Sequence, residues 1–244
     1  MRIAVLSDIH ANLAALEAVA SDLPAVDQVW VLGDIVGYGP QPNEVIATLQ
    51  AMGARSVLGN HDGAAIGTVD ADDFNLDAKT AIEWTATVID ANARSYLASL
   101  PEIRRDGELT AVHGSPRAPI WEYITGPSVA GANFAAFESR LCLFGHTHLP
   151  VVYRDAGGTV EASAGLPGDR VELGGMRALL NPGSVGQPRD GLADAAYAIL
   201  ETDDDPSTDA ISFHRVRYDI DRTQRLMRDI GLPPRLAERL SFGR

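Results

Sequence analysis

The chain opens on an apolar, largely β-branched run, Ile3-Ala4-Val5-Leu6, and similar runs recur at Val29 to Leu32, Ser56 to Leu58, Leu109 to Val112 and Leu141 to Phe144. Short runs that are apolar on both alternating faces mark strands buried on two sides. Between the first strands the period changes. Leu13, Leu16, Val19 and Leu23 trace a helical stripe that Asn12 can cap and Pro24 stops. A second helix is predicted from Pro42-Asn43 to about Met52, ahead of a strand over Arg55 to Leu58. Alternating strands and helices at this spacing predict a parallel sheet with right-handed crossovers.

The middle of the chain is less regular. Ala64 to Asp77 is acidic and reads as a surface loop, and Ala78 to Leu97 carries helical periodicity. His113 to Pro127 holds three prolines, Trp121 and Tyr123, and reads as a loop before a short helix over Ala130 to Phe137. Beyond Phe144 the pattern becomes antiparallel. Val151 to Arg154 and Thr159 to Ala162 flank Gly157-Gly158 as a β-hairpin, with further strands at Arg177 to Leu180, Ala195 to Glu201 and Ala210 to Tyr218. Asp221 to Leu240 is basic and helical, broken by Gly231 and two prolines. The expectation is an α/β fold with two packed sheets flanked by helices. No linker separates two complete patterns, so residues 1–244 read as a single domain.

Composition adds exclusions. No apolar run approaches the ~20 residues of a membrane span, and the first strand starts directly after Met1, leaving no room for a signal peptide. A cytoplasmic setting follows. Cys142 is the single cysteine, which excludes an intrachain disulfide and a thiolate zinc site. It lies in the apolar Leu-Cys-Leu-Phe run, where a buried inert thiol is expected. A formal charge of −13 works against a long nucleic acid as partner. A small phosphoester bound at a metal is compatible with it.

The candidate chemistry sits where the apolar runs end. They close on Asp8 and His10, Asp34, Asn60 and His61, His113, and His146 and His148, so five of the 6 histidines fall in short glycine-rich motifs. Open α/β folds place their sites at the carboxyl ends of strands, so five such endings point to one site. Asp8-x-His10 puts two ligands on the same side of an extended chain. Asp34 follows Gly33, where the backbone can turn sharply, and a carboxylate there can bridge two cations. The donor set is nitrogen and oxygen without sulfur, which suits Mn, Fe, Co, Ni or Zn better than Mg or Ca. Seven candidates are too many for one tetrahedral ion. They suit two ions ~3.5–4 Å apart, with a hydroxide between them as nucleophile for phosphoester hydrolysis.

The motifs D-x-H, G-D, G-N-H-D, V-H-G and G-H-T-H, in this order over residues 1 to about 150, resemble the calcineurin-like metallophosphoesterase superfamily. Asn181-Pro182-Gly183-Ser184-Val185 is similar to a stretch of its small bacterial and archaeal branch. The resemblance implies a four-layer α-β-β-α sandwich with two mixed β-sheets. It implies that Asp8, His10 and His148 hold one divalent transition metal, that Asn60, His113 and His146 hold a second, and that Asp34 bridges, manganese being the favoured ion. It makes His61 the general acid that protonates the leaving alkoxide. Protein phosphatases and symmetrical dinucleotide polyphosphatases of the superfamily carry an arginine shortly after the bridging aspartate. Here Gly37 and Tyr38 stand instead, and Asp62 replaces the protein phosphatases' glutamate. Both differences favour a phosphodiesterase acting on small diesters. The alternatives are a phosphomonoesterase or phosphoprotein phosphatase, a nuclease, and a non-catalytic scaffold.

Several residues carry two readings. Tyr38 either walls the cleft or belongs to a plain Gly-Tyr-Gly-Pro turn. Arg117 either clamps a phosphate, with Trp121 and Tyr123 stacking on a base, or pairs with Glu122. Arg189 has the same ambiguity. Asp62 either orients His61 or caps its turn, and the cap is preferred. Asn12 is read as a helix cap, His214 as a strand residue, and Asp203-Asp204-Asp205 as a solvated loop.

Overall fold

The computed structural model describes residues 1–244. The chain begins as its pattern predicts, with β1 (Arg2–Leu6), α1 (Leu13–Asp22), β2 (Gln28–Val31), α2 (Pro42–Ala51) and β3 (Arg55–Ser56). β1, β2 and β3 pair in parallel. There follow α3 (Asn60–Ile66), α4 (Leu76–Val88), α5 (Ala91–Ala98), β4 (Ile103–Asp106), β5 (Leu109–Val112), α6 (Pro127–Asn133) and β6 (Leu141–Leu143). The remainder is β7 (Val151–Asp155), β8 (Val160–Ala164), β9 (Arg170–Glu172), β10 (Ala178–Asn181), β11 (Ala195–Glu201), β12 (Ala210–Val216), α7 (Ile220–Asp229) and α8 (Pro234–Glu238).

Two six-stranded mixed sheets result, ordered β3-β2-β1-β11-β12-β9 and β4-β5-β6-β10-β7-β8. Alternation along β1 explains the layering. Ile3 and Val5 face the second sheet and pack with Trp30, Leu32, Leu109, Leu141, Leu143 and Leu180. Ala4 and Leu6 face the other way, among Leu16, Val45, Ile46 and Leu97 from α1, α2 and α5. On the far side of the second sheet, Val112, Cys142 and Phe144 pack against Phe134 and Phe137, just after α6. Each fully buried aliphatic side chain contributes roughly 1.5–3 kcal/mol, so the inter-sheet layer fixes the sheets' relative position. No helix is long and apolar enough to cross a membrane.

The departures from the predicted elements have local causes. The acidic stretch after Ala64 is entered by α3, whose start coincides with the Gly-Asn-His-Asp motif. The helix predicted over Ala78 to Leu97 is two helices, because Ile89 is extended (φ −66°, ψ 128°) and the Asp90 side chain caps α5 by accepting from Ala93 N–H. The helix predicted over Ala130 to Phe137 begins at Pro127 and loosens into a single tight turn over Phe134–Ala136. β4 and β9 were not expected. They are polar edge strands, Ile-Arg-Arg-Asp and Arg-Val-Glu, recruited by β5 and β12.

Candidate active site

The carboxyl ends of β1, β2, β3, β5 and β6 open onto one rim, and every strand-end candidate lies there, buried: Asp8, His10, Asp34, Asn60, His61, His113, His146 and His148. Main-chain hydrogen bonds knit the loops to one another. Asp8 N–H donates to Gly33 O (3.1 Å), His10 N–H to Asp34 O (2.9 Å), and Gly145 N–H to His113 O (2.8 Å). The Asn181-to-Val185 segment clamps the first loop from the other side. Ser184 Oγ donates to Asp8 O (2.7 Å), and Val185 N–H to Ser7 O (2.9 Å). These ties hold Asp8, His10, Asp34, His146 and His148 at positive φ between 50° and 64°. Each such non-glycine conformation costs about 1–3 kcal/mol and persists only where the surroundings over-determine it. The strain is concentrated on the candidate ligands. Gly59 shows how tight the junction is, because a Cβ there would run into the backbone nitrogen and Oδ1 of Asp34.

Three histidines are oriented from behind. Nδ1 of His10 donates to Val36 O (3.2 Å), that of His113 to Leu32 O (2.8 Å), and that of His148 to Gln187 O (2.5 Å). Each bond fixes the tautomer that presents an Nε2 lone pair inward, as metal-ligating imidazoles require. His146 turns the other way, with Nδ1 inward.

The inward atoms form overlapping groups. Asp8, His10 and His148 converge, as do Asp34, His113 and His146, each set having its ligand atoms within 4.8 Å of one another. His10 Nε2 lies 3.3 Å from His148 Nε2, which is 3.2 Å from Asp8 Oδ1. His113 Nε2 lies 2.9 Å from both His146 Nδ1 and Asn60 Oδ1. Asp34 stands between the sets, its Oδ2 3.4 Å from His113 Nε2 and 3.7 Å from His10 Nε2.

This donor set fits metal cations. Asp8 Oδ1 is buried with no hydrogen-bond partner. Asn60 presents its oxygen to His113 Nε2, although turning the amide would let its nitrogen donate there and to Asp34. Lone pairs facing one another in a dry site are stable only with positive charge among them. The titration of the site agrees. Burial raises Asp8 to about 7, offset in part by His113. Burial works to lower His113, yet the Asp34 charge, a hydrogen bond to Asp34 and the Asp8 charge hold it up at about 9.

His61 lies beside this cluster. Its ring packs on His10 (4.8 Å between centroids), Tyr38 (4.4 Å) and Phe74 (4.9 Å), and its N–H donates to Asp34 Oδ1 (2.9 Å). His61 Nδ1 is buried without a partner. A Cβ on Gly37 (φ +84°) would approach that nitrogen to 2.5 Å, so glycine is needed there. Asp62 takes the capping role, accepting from Val36 N–H (2.9 Å) and Gly59 N–H (3.0 Å).

The residues with two readings separate. Tyr38 is buried at 5% exposure against the rings of His10 and His61, so it supports the site from within. Arg117 is not free: it pairs with Glu122, which also accepts from Ser115 and Asn133. Tyr123, 47% exposed, stacks on His146 with centroids 3.7 Å apart and flanks the rim. Asn12 caps α1, accepting from Ala15 N–H, and its amide donates to Gly186 O. His214 stacks on Tyr197 within the first sheet, and Cys142 is buried, which pushes its thiol up. One further side chain near the cluster carries no sequence signal. Arg239, in the turn after α8, places its guanidinium carbon 4.5 Å from the Tyr38 ring centre. No local pattern marks it, because Tyr38 is distant in the chain.

Comparison with known proteins agrees with this geometry. Residues 1–205 match the calcineurin-like phosphoesterase superfamily domain. An uncharacterized protein of Methanocaldococcus jannaschii is 38% identical, covering 99% of this chain and 98% of its own length. A symmetrical bis(5'-nucleosyl)-tetraphosphatase of Nitrosococcus oceani is 35% identical over 53% of this chain and 49% of its own. The crystal structure of a metallophosphoesterase from Sphaerobacter thermophilus superposes with a TM-score of 0.90 at 47% identity, covering 100% of this chain and 99% of that one. With buried histidines and carboxylates gathered at the strand ends of a two-sheet sandwich, the chain belongs to the calcineurin-like phosphoesterase superfamily as a metal-dependent phosphoesterase.

Proposed function

We propose that residues 1–244 form one catalytic domain that hydrolyses small phosphodiesters, the phosphomonoesters being poorer substrates. The observation that carries this reading is the sharing of Asp34 between two donor sets. Asp8, His10 and His148 would hold one divalent cation, Asn60, His113 and His146 would hold a second, and Asp34 would serve both, with manganese the favoured ion. When bound, such ions act as Lewis acids on the phosphoryl oxygens and lower the pKa of water. The likeness to a tetraphosphatase over half of the chain supports a small phosphorylated substrate.

His61 is the proton donor to the leaving oxygen. Burial holds it at about 4, with Asp34 opposing and Arg189, His113 and Arg239 adding to the depression. It is neutral at pH 7 and takes up its proton when an anionic phosphate offsets those cations. The ring, locked against His10, Tyr38 and Phe74, is held in place for that transfer.

The test compares initial rates on bis(p-nitrophenyl) phosphate and p-nitrophenyl phosphate, with Mn²⁺ and with chelator. Chelator-sensitive turnover that favours the diester is expected, and His61→Ala lowers kcat by about 10²–10⁴ while metal content persists. Preference for the monoester, or full activity in His61→Ala, overturns the corresponding half of the reading.

A further inference from the structure

The loop that follows His113 delivers one aromatic side chain to the cluster. Glu122 is pinned just before it, accepting from Ser115 Oγ (2.6 Å) and Asn133 Nδ2 (2.8 Å) and pairing with Arg117. Ile124 is pinned just after it, buried at 1% exposure in the layer of Val112, Phe134 and Phe144. With both neighbours held, Tyr123 lays its ring on the imidazole of His146, centroids 3.7 Å apart and planes 22° from parallel. That is closer than any other ring pair at the site. The phenol is also the accessible one. Tyr38 is buried beneath Arg239, Tyr96 bonds to Ser56 and Tyr197 to Asp22, whereas Tyr123 is 47% exposed at the rim.

The hydroxyl end of this ring lies at the mouth of the cluster. Partial burial raises the phenol above its ordinary value, Arg189 opposes, and Asp34, Tyr38 and Asp8 add to the rise. Those groups come from separate loops around the rim, so the hydroxyl shares their space. Its position complements that of His61. The His61 ring packs on His10, in the set with Asp8 and His148, whereas Tyr123 packs on His146, in the set with Asp34 and His113. Asp34 stands between His10 and His113. A phosphoryl group held over Asp34 therefore has an imidazole on one flank and a phenol on the other. The leaving oxygen needs one proton donor. The non-bridging oxygens carry spread charge during transfer, and a neutral O–H fixed in advance is suited to them. With an ordinary pKa of about 10, the phenol keeps its proton at pH 7.

We propose that Tyr123 is a catalytic residue whose hydroxyl donates a hydrogen bond to a non-bridging oxygen of the phosphoryl group, on the flank away from His61. No proton changes hands: the phenol stays neutral and stabilises the charge on that oxygen. This inference rests on the phosphoesterase reading of the same site, with His61 as proton donor, and its test includes a measurement that needs no turnover.

Tyr123→Phe keeps the stack on His146 and removes only the hydroxyl. Metal content after dialysis and the melting temperature stay at wild-type values, while kcat falls by about 10–100-fold, as for the loss of one fixed donor to a charged oxygen. The loss is the same for phosphodiesters with good and poor leaving groups. His61→Ala, by contrast, loses more as the leaving group becomes poorer, because a general acid matters most there. Orthovanadate offers similar oxygens in an arrangement like that of the transferring group, and transition-state analogues report such contacts at equilibrium. Titrated calorimetrically into the Mn²⁺-loaded proteins, it binds Tyr123→Phe about 10-fold or more weakly than wild type. Wild-type kcat and vanadate affinity in metal-loaded Tyr123→Phe overturn the contact and leave a packing role only. A loss that grows with leaving-group pKa also overturns it, by moving the phenol to the leaving oxygen. A wild-type protein that binds vanadate through Tyr123 yet hydrolyses no ester refutes the proposed activity and leaves the contact standing. Wild-type protein that binds no vanadate overturns the contact as well.

Discussion

Asp34→Asn removes one negative charge from the point where the two donor sets overlap and leaves the side chain's size unchanged. Asn keeps an oxygen to accept the His61 N–H, now 2.9 Å from Asp34 Oδ1, so the local backbone is retained. The charge is what disappears. Asp34 Oδ2 stands 3.4 Å from His113 Nε2 and 3.7 Å from His10 Nε2. At an effective dielectric of about 20, a unit charge pair at such separations is worth roughly 4–5 kcal/mol. The amide dipole of Asn and relaxation of the site recover part of this. A net loss of about 4 kcal/mol for a divalent ion corresponds to a roughly 10³-fold weaker affinity. Manganese titration by calorimetry and elemental analysis after dialysis measure it. The variant is expected to hold fewer than two ions per chain at micromolar free metal and to lose turnover in parallel. Two ions bound with wild-type affinity would refute the bridging role and leave Asp34 as an anchor for His61. The chelator-treated protein offers a second readout. His113 at about 9 contributes stability that is complete below its ordinary value of 6.5 and is lost as pH rises through about 9. That contribution should vanish in Asp34→Asn.

Other expectations follow from contacts elsewhere. Gly59→Ala drives a methyl group into Asp34 and should abolish metal retention, whereas Gly126→Ala, with open space around its Cβ, retains it; equal metal content in the two would contradict the close approach. Leu143→Ala opens a cavity between the sheets, where Leu143 is 0% exposed, and should cost about 2–5 kcal/mol in urea unfolding; a cost below 1 kcal/mol would mean that the layer collapses to fill it. Glu122 is held down to about 2, chiefly by its bond to Arg117, so it stabilises the loop above its ordinary value of 4.5 and loses that effect as pH falls through about 2. Glu122→Gln should therefore melt below wild type at pH 7, the difference closing in acid; a pH-independent difference would assign the loss to packing.

Much of the candidate site was legible because each candidate ligand follows a buried strand. Parallel strands bring their carboxyl ends to one rim, so Asp8, Asp34, Asn60, His113 and His146 had to meet. The edge strands were not legible. Arg104, Arg105 and Asp106 show no apolar alternation, and they extend because β5 offers them an unpaired edge. The break between α4 and α5 was hidden by a helical period that runs through it, although Asp90 was available as a cap. Arg117 could have faced the cluster or Glu122. Ser115 and Asn133, which share the same carboxylate, decide for Glu122.

Local sequence by itself determined the donor types, their order and the strands that end on them, because periodicity and ligand chemistry act within a few residues. Only the tertiary structure decided which donors come within reach of one another, since that depends on loops tied across the rim. It also decided the tautomers of His10, His113 and His148, through the carbonyls of Val36, Leu32 and Gln187 respectively. And it brought Arg239 onto Tyr38, a pairing that no local pattern encodes because it depends on α7 packing on α1 and on Leu236, Ala237 and Leu240 packing with Ala78 and Ala81 of α4.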